Sequence, residues 1–419
     1  MQLVHNDVET IELTEYDRSE PLELSEDVLD TIDTRINESA TRIEYEYTDK
    51  GYVRLRTSSF VGLISLPNGM QVRIRPKAAG GNFLRLLLYA HGATEAMTDS
   101  TVQALEGNLF INAMGALYLD RLQQVVQRGL GKDYQTKQAR EEYLRGRLDI
   151  HRQLSRGTMA STTFEIEYED LTHDTIENQT VLYAAHLLSR LVTDPTIQST
   201  LRQREQQLRR EITLRPIHPT ELETIHLDRL TAYYDDILRL AMVVIRSTFV
   251  DNMQAGTQET YGLLVNMNRI FERVVERAAE DALADTSWQI EPQARIGGLV
   301  TGGIPTVNMH PDFVLRDENG DLQLVGDAKW KTGRPSQSDI YQMTSYQLAD
   351  DVPGVLLYPS QNGTTETAYQ VDDRLALHLR ELPTGYDATD LKSFSQKLSD
   401  MLKAEFVSLI EDSTPSFGL

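Results

Sequence analysis

The sequence HPDFVLRDENGDLQLVGDAKWK, residues 310–331, alternates apolar and polar side chains on both sides of one Asn-Gly pair. Asn-Gly is the strongest short signal of a two-residue turn between antiparallel strands. A tight turn at this pair places Glu318 opposite Asp321 and, counting outward, Asp312 opposite Asp327. The stretch therefore predicts a β-hairpin whose open end carries two facing carboxylates.

Two facing aspartates repel each other and need a compensating charge. Side chains directly opposite each other on neighbouring strands lie about 5 Å apart, and like charges in that arrangement are destabilising. Lys329, two residues after Asp327, points to the same face because side chains alternate along a strand with a period of two. Hard carboxylate oxygens suit Mg2+ or Mn2+, which keep several waters and bind through one or two carboxylates plus substrate phosphate. The hairpin thus predicts a divalent metal site at Asp312 and Asp327 that hydrolyses phosphodiesters.

The composition limits the class of protein. The chain has 419 residues, 40% hydrophobic and 25% charged, which is enough for two or three globular domains. Cysteine is absent from the sequence, so disulfides and thiolate zinc sites are excluded. The first residues, MQLVHNDVETIEL, lack the basic and apolar segments of a signal peptide, and the apolar runs are too short to cross a bilayer. We expect a cytoplasmic protein without a membrane partner.

The charge balance is strongly acidic, with 63 acidic residues against 41 basic ones and a net charge of -22. This is the wrong sign for a protein that grips DNA by its own surface charge. Lysine is rare, with nine lysines against 32 arginines. A lysine-poor acidic surface suggests a halophilic protein adapted to a salty cytoplasm, and an ordinary acidic surface is the alternative. Neither interpretation excludes a nucleic-acid substrate.

Hydrophobic periodicity divides the chain into three regions. Residues 1–80 contain two alternating stretches, around Asp49-Lys50-Gly51 and around Asn68-Gly69, which predict two hairpins of a small β domain. Residues 81–250 have mainly the helical period, interrupted by a possible strand pair near RGRLDIHRQL and TTFEIEYED. Residues 251–419 predict an α/β domain in the order helix, three strands, helix, strand, followed by an amphipathic helix at about 391–410. The expected fold class is α/β with a β-rich N-terminus and a helical middle region.

The spacing of the acidic pair matches a known nuclease signature. Pro311-Asp312, 14 intervening residues and Asp327-Ala328-Lys329 resemble the PD-(D/E)-x-K nuclease superfamily. The D-x-K part alone is weak, because the chain contains a second copy, Asp390-Leu391-Lys392, which precedes a helical pattern and is expected to cap that helix. Pro-Asp occurs once, at the position that the turn register pairs with the second aspartate. The resemblance implies a restriction-endonuclease-like core in the last third of the chain.

Two helices beside the hairpin carry further candidate residues. By resemblance to the superfamily, Glu272 in NMNRIFERVVERAAEDA would be an additional acidic residue of the metal site. A solvated glutamate on the flank of an apolar stripe is the alternative. Gln342 and Tyr346 share one face of the next helix and resemble the Q-x-x-x-Y element of RecB-like nucleases. This implies a role in positioning the substrate strand or the site, although simple helix packing also explains Tyr346.

The wider sequence resembles McrC, the nuclease subunit of the McrBC modification-dependent restriction systems. The matching blocks follow one another along the chain: FVGLISLPNGMQVRIRPK, NFLRLLLYA, YLRGRLDI, DTIENQTVLYAAHLL, NMNRIFE, PDFVL, DAKWK and DIYQMTSYQ. The resemblance implies a Mg2+-dependent DNA endonuclease that docks onto a McrB-like AAA+ GTPase hexamer and stimulates its nucleotide hydrolysis. It also implies that the GTPase recognises the methylated double-stranded DNA.

We expect no nucleotide to bind to this chain itself. Its nearest approach to a phosphate-binding loop, VVQRGLGKD, has Val126 in place of the first required glycine and Asp133 in place of Ser/Thr. Energy and sequence recognition are therefore expected from the partner. By the same family resemblance, the docking surface lies in residues 1–80. There Arg73, Arg75 and Lys77 alternate along VRIRPK and would form a basic stripe on one strand face, and a solvated face is the alternative.

Two other functions remain open at the level of the sequence. A stand-alone RecB-like repair nuclease would degrade DNA without any GTPase. A non-catalytic regulator would only activate an AAA+ motor, with the acidic pair unused. The complete set of Asp312, Asp327 and Lys329 argues against this second alternative.

Overall fold

The computed structural model describes residues 10–38, 40–78, 82–93, 110–155, 162–251, 260–297, 309–332, 334–360, 367–386, 388 and 390–413. The strands within these ranges are, in chain order, β1 (Thr10–Thr14), β2 (Ile43–Tyr47), β3 (Val53–Thr57), β4 (Phe60–Ser65), β5 (Gln71–Arg75), β6 (Asp133–Glu141), β7 (Arg147–Leu148), β8 (Phe164–Thr172), β9 (Thr248–Asp251), β10 (Thr260–Asn266), β11 (Gln289–Pro292), β12 (Phe313–Arg316), β13 (Leu322–Ala328), β14 (Gly354–Pro359), β15 (Thr367–Gln370) and β16 (Ala376–Leu382). The α-helices are α1 (Glu26–Thr31), α2 (Phe83–Ala90), α3 (Phe110–Arg128), α4 (Ile150–Ser155), α5 (Ile176–Leu191), α6 (Pro195–Leu208), α7 (Asp235–Ser247), α8 (Met267–Leu283), α9 (Gln337–Asp350) and α10 (Leu391–Ser413).

The chain forms two compact units. The first unit joins residues 1–114 with residues 247–419, and the second unit comprises residues 115–246. The predicted boundary near residue 250 lies close to an observed one. The predicted boundary near residue 80 lies inside the first unit, which contains both the N-terminal and the C-terminal sheet. The division into three functional domains stays a prediction.

In the first unit, a five-stranded sheet has the order β1-β5-β4-β10-β9. Both predicted N-terminal hairpins are confirmed: β2 pairs with β3 and β4 pairs with β5, and Gly51 and Gly69 take the positive φ that their turns require. The sequence did not indicate β10, which pairs antiparallel with β4. Its apolar residues run directly into α8, so they merge with the helical pattern.

The second sheet of the first unit has the order β11-β12-β13-β14-β16-β15. The predicted order of helix, three strands, helix and strand is present as α8, β11, β12, β13, α9 and β14. β12 is antiparallel to β11 and β13, whereas β13, β14 and β16 run parallel. All six residues of β14 are buried, as expected for a strand covered on both faces. The carboxyl ends of β13 and β14 therefore meet at one edge of the sheet, and Asp327 lies there.

The turn of the decisive hairpin differs from the predicted two-residue turn. The register next to the site is as predicted, with Val314 opposite Val325. The predicted pairing of Glu318 with Asp321 is wrong, because the Asp317 N–H donates to the Asp321 carbonyl at 3.0 Å and closes a three-residue loop. The glycine of the loop takes a φ of 85°. Such loops are the next most common hairpin connection after two-residue turns.

The Asp317 side chain explains this turn. Its Oδ1 accepts the backbone N–H groups of Asn319 and Asp321, both at 2.9 Å, which makes an Asx turn. A bulge between Leu315 and Arg316 then shifts the pairing by one residue. This shift restores the register that a two-residue turn would have given. The site end of the hairpin is therefore unaffected by the different turn.

The second unit contains a three-stranded sheet of order β6-β8-β7 together with helices α5, α6 and α7. The predicted strand pair is confirmed as β7 with β8. β6 pairs with β8 along its whole length but was not predicted, because its sequence DYQTKQARE has no apolar alternation. Among the residues that the structure describes, no helix is long and apolar enough to span a bilayer.

Candidate active site

The hairpin brings the two predicted aspartates together at the end of β13. Asp312 directly precedes β12, and Asp327 is one step outward from the pair formed by Phe313 and Gly326. The carboxyl groups of Asp312 and Asp327 lie close enough for the charge of Asp312 to raise the pKa of Asp327. The Asp312 Oδ2 also accepts the backbone N–H of Ala328 at 2.8 Å. The two side chains thus meet without any intervening residue.

A glycine allows β12 and β13 to approach each other closely beside the aspartates. A Cβ added at Gly326 would lie 2.0 Å from the ring of Phe313, so a larger residue would displace that ring. Phe313 is buried and packs against Phe406 of α10, with 6.2 Å between the ring centroids. The ring therefore occupies the place of the absent side chain. This packing fixes the strand register one step from the carboxyl groups.

Lys329 supplies the positive charge that the sequence predicted. Its ammonium group contacts the Asp327 carboxylate, whose side chain is 1% exposed, while the lysine side chain is 21% exposed. The Lys329 N–H donates to the carbonyl of Leu357 in β14 at 2.9 Å. The lysine is thus held by the sheet at its backbone and by an ion pair at its tip.

The electrostatics of the site show uncompensated negative charge. Burial, together with the neighbouring charge of Asp312, raises the pKa of Asp327 to about 7. Burial also raises the pKa of Asp312, although its bond from Ala328 acts in the opposite direction. Lys329 lowers both values but does not restore the ordinary ones. The ammonium group of Lys329 is therefore insufficient to compensate the negative charge of the acidic side chains at this site.

Glu272 lies near this pair on α8. The helix begins at the cap residue Asn266, and its apolar stripe, which includes Phe271 and Val275, is buried as predicted. Burial and the charge of Asp327 raise the pKa of Glu272, so the glutamate is within electrostatic reach of the pair. The Glu272 side chain is thus half-buried and not fully solvated. Its binding to metal stays a prediction.

Gln342 and Tyr346 form a connected pair on α9. The Gln342 Nε2 donates to the Tyr346 hydroxyl at 2.8 Å, and that hydroxyl donates to the carbonyl of His310 at 3.2 Å. Tyr346 is buried, at 6% exposed. The pair therefore anchors the chain two residues before Asp312. This arrangement shows that Tyr346 packs in the structure and bonds to the chain before Asp312, and its role in the site stays a prediction.

The second D-x-K copy has the structural role that its helical context predicted. Asp390 precedes α10, and its Oδ1 accepts the backbone N–H of Ser393 at 2.6 Å. This bond is a helix N-cap. Lys392 is exposed on the first turn of the helix. The D-x-K sequence alone thus does not distinguish a cap from a candidate metal site.

The donor set at Asp312 and Asp327 fits a small, hard cation. Asp327 is buried and Asp312 is half-buried, and a divalent ion would stabilise both as anions in spite of their raised pKa values. In the part of the chain that the structure describes, no group of three or more His, Cys, Asp or Glu side chains has the arrangement of a metal site. Mg2+ does not require such a group, since it binds through one or two carboxylates with waters and substrate phosphates.

A family model matches most of the chain. The family is described as McrBC 5-methylcytosine restriction system component, and the match covers residues 55–359. Among characterised proteins, the type IV methyl-directed restriction enzyme EcoKMcrBC of Escherichia coli (strain K12) is 20% identical over 321 residues, which are 70% of this chain and 88% of that protein. All the sequence blocks quoted above lie within the residues that the family model matches.

A solved structure shares the fold. It is a half-complex from the tetradecameric assembly of Thermococcus gammatolerans McrB AAA+ hexamers with bound McrC, and it matches with a TM-score of 0.60 and 22% identity. The alignment covers 94% of this chain and 100% of the matched chain. The fold and the family model agree along the chain, and the chain belongs to the McrBC family of 5-methylcytosine restriction system components.

Proposed function

We propose that this chain is the metal-dependent DNA endonuclease subunit of a McrBC-like restriction complex, with a core of the PD-(D/E)-x-K type. The observation that carries the proposal is the meeting of Asp312, Asp327 and Lys329 at the end of β13. Family membership supports a role in restriction. The acidic pair with its lysine supports phosphodiester hydrolysis as the reaction.

Each side chain has a distinct part in the proposed reaction. Asp312 and Asp327 would hold Mg2+, with Mn2+ as an alternative ion, and the ion would activate water and stabilise the leaving oxygen. Lys329 places a compact positive charge where charge develops on the phosphate. Glu272 would complete the acidic set from α8. Gln342 and Tyr346 would hold the segment that carries the first aspartate, through the bond to the carbonyl of residue 310.

The second part of the proposal concerns the partner. The solved relative contains McrB AAA+ hexamers with bound McrC. By analogy, this chain docks on an McrB-like GTPase hexamer and stimulates it, while the partner recognises methylated double-stranded DNA. The net charge of -22 favours this division, because a partner that holds the DNA relaxes the need for a basic nuclease.

A surface of the second unit is suited to docking. Large apolar side chains are exposed on its three-stranded sheet, on the loop after β6 and on α4. They are Tyr134, Tyr143, Leu144, Ile150, Leu154 and Leu171, each at least 49% exposed. Tyr134 pairs with Leu171 at one end of the β6–β8 ladder, whereas the other four lie toward its other end, so the six form two groups. We propose that both groups belong to a protein interaction site. We call these six residues the apolar docking surface.

The basic strand face in residues 1–80 is less available for docking than the sequence indicated. Arg73 and Arg75 both pair with Glu12. Lys77 lies over the ring of Tyr16, at 4.3 Å from the ring centroid. Their charges are therefore engaged within the first unit, and docking by residues 1–80 stays a prediction beside docking by the apolar docking surface.

The double substitution of Ile150→Ser with Leu154→Ser is expected to weaken binding to the partner hexamer about tenfold or more, because both side chains belong to the apolar docking surface. Leu230→Ser is the matched control, since Leu230 is 80% exposed in the same unit but outside that surface. Binding is measured by titration with the hexamer. Parental affinity of the double variant, with weakened binding of Arg73→Ala, would place docking in residues 1–80 instead.

Cleavage assays with the purified chain separate the three functions. Methylated and unmethylated DNA are incubated with the chain and Mg2+, with and without the partner hexamer and GTP. We expect cleavage of methylated DNA only when both partner and GTP are present. Cleavage by the chain alone would identify a stand-alone RecB-like repair nuclease. Stimulated GTP hydrolysis without cleavage under any divalent ion would identify a non-catalytic activator.

A further inference from the structure

One buried hydrogen bond joins the N-terminal sheet to the end of β13. The Trp330 indole N–H donates to both carboxylate oxygens of Glu15, at 3.1 and 2.9 Å, across 315 residues of sequence. Glu15 directly follows β1, and Trp330 directly follows Lys329. Both side chains are buried, at 4% and 1% exposed. The backbone N–H of Lys77 also donates to the carboxylate, at 3.0 Å.

A carboxylate in this place is costly for the fold. Burial raises the pKa of Glu15, and the hydrogen bonds from Trp330 and the Lys77 amide act in the opposite direction without cancelling the effect. An apolar pair of similar volume would avoid this desolvation cost. A buried carboxylate that is kept in spite of this desolvation cost is a candidate for a functional constraint.

Trp330 lies where the sheet stops fixing the chain. β13 ends at Ala328, and the Lys329 N–H still bonds to the carbonyl of Leu357 in β14 at 2.9 Å. The Lys331 N–H then bonds to the Lys329 carbonyl at 2.7 Å, which makes a tight three-residue turn centred on Trp330. The direction of the chain at Lys329 therefore depends on how the indole is anchored.

The same indole contacts the helix that carries the third acidic candidate. The rings of Trp330 and Phe271 pack together with 5.5 Å between their centroids, and both are fully buried. Phe271 directly precedes Glu272 on α8. One side chain thus supports the strand end with Lys329 and the helical turn with Glu272.

We propose that Glu15 and Trp330 are positioning residues of the nuclease site. Glu15 fixes the indole, and the indole holds Lys329 and Glu272 at the separations from Asp327 that cleavage requires. The inference rests on the proposed nuclease function. Because Glu15 directly follows β1, the geometry of the site depends on the N-terminal sheet as well as on the sheet that carries the aspartates.

Three substitutions test the positioning role. Glu15→Ala removes both acceptors, Glu15→Gln keeps one carbonyl oxygen for the indole, and Trp330→Phe keeps a ring against Phe271 but removes the donor. Single-turnover cleavage by the complex at saturating DNA should fall roughly tenfold to a hundredfold in Glu15→Ala and Trp330→Phe, as for a misplaced catalytic group. Glu15→Gln should cleave at close to the parental rate. The double variant of Glu15→Ala with Trp330→Phe should cleave no more slowly than the slower of these two single variants.

Trp288→Phe is the matched control, because Trp288 is the other of the two tryptophans and lies outside the site. It should cleave at the parental rate, and all variants should stimulate the GTPase normally. A crystal structure of Glu15→Ala should show Lys329 moved away from Asp327.

A parental cleavage rate in Glu15→Ala, or an unmoved Lys329, would overturn the inference. The inference would also be overturned if Glu15→Gln and Glu15→Ala lost the same share of the cleavage rate, and if that loss equalled the loss of folded protein measured by thermal unfolding. Absence of cleavage by the parental complex is a different result, which would overturn the proposed function itself.

Discussion

Asp312→Asn is expected to lower the rate of DNA cleavage by the complex about a thousandfold or more, while partner binding and GTPase stimulation stay at the parental level. The side chain lies beside Asp327 and accepts the N–H of Ala328, so asparagine keeps the size but loses the charge that would hold the ion. Lys329→Ala should cause a loss of similar size, because it removes the positive charge beside Asp327. Single-turnover cleavage of methylated DNA measures both effects.

The chain offers matched controls for both substitutions. Asp321→Asn changes an exposed aspartate of the same hairpin, and Lys392→Ala changes the exposed lysine of the second D-x-K copy. Both control variants should cleave at the parental rate. Cleavage by Asp312→Asn within about threefold of the parent, in the presence of the partner, would remove Asp312 from the metal site and the reaction.

Asp327→Asn is expected to stabilise the metal-free chain by about 2 kcal/mol at pH 8. Burial and the charge of Asp312 raise the pKa of Asp327 from 3.8 to about 7. The folded chain therefore binds this proton more tightly than the unfolded chain, so the stability that this group contributes is complete below pH 3.8 and is lost as the pH rises through about 7. An asparagine at this position does not titrate, so the Asp327→Asn chain does not lose this stability as the pH rises. Thermal unfolding in EDTA should show a smaller difference at pH 5 than at pH 8.

Added Mg2+ should make the parental chain more stable than Asp327→Asn at pH 8. A ligand that binds only the folded chain stabilises it by about 2.7 kcal/mol at a hundred times its Kd, and Asp327→Asn should gain little because a ligand is missing. Asp339→Asn is the control, and its expected effect on stability is opposite to that of Asp327→Asn in the metal-free chain. Although burial acts in the other direction, hydrogen bonds from Lys331 and Ser336 lower the pKa of Asp339, so its replacement should destabilise the chain. A metal-free Asp327→Asn chain less stable than its parent at pH 8 would contradict the proposed cause.

The register of the hairpin could be predicted from the sequence because alternation and an Asn-Gly pair act locally. The turn was wrong in detail, since Asp317 captures two backbone N–H groups and lengthens the loop. The bulge beside Leu315 compensates for that change. The prediction of facing aspartates therefore survived an error in the turn that generated it.

Features made by distant segments could not be predicted. β10 joins the N-terminal sheet from residues 260–266, and its apolar residues merge with the helical pattern of α8. β6 has no apolar alternation that would identify it as a strand. The contact of Glu15 with Trp330 spans 315 residues, and a glutamate in TIELTEYD has no local sign of burial. Likewise, the pairing of Arg73 and Arg75 with Glu12 depends on the parallel pairing of β1 with β5.

The position of a bound divalent ion tests the central claim most directly. Crystals of the chain are soaked in Mn2+, and anomalous diffraction is recorded at the manganese absorption edge. We expect one peak about 2.1 Å from a carboxylate oxygen of Asp312 and from one of Asp327, and no peak in Asp327→Asn. A peak elsewhere with none at this pair, or no peak at saturating Mn2+, would contradict the assignment of these two aspartates as the metal site.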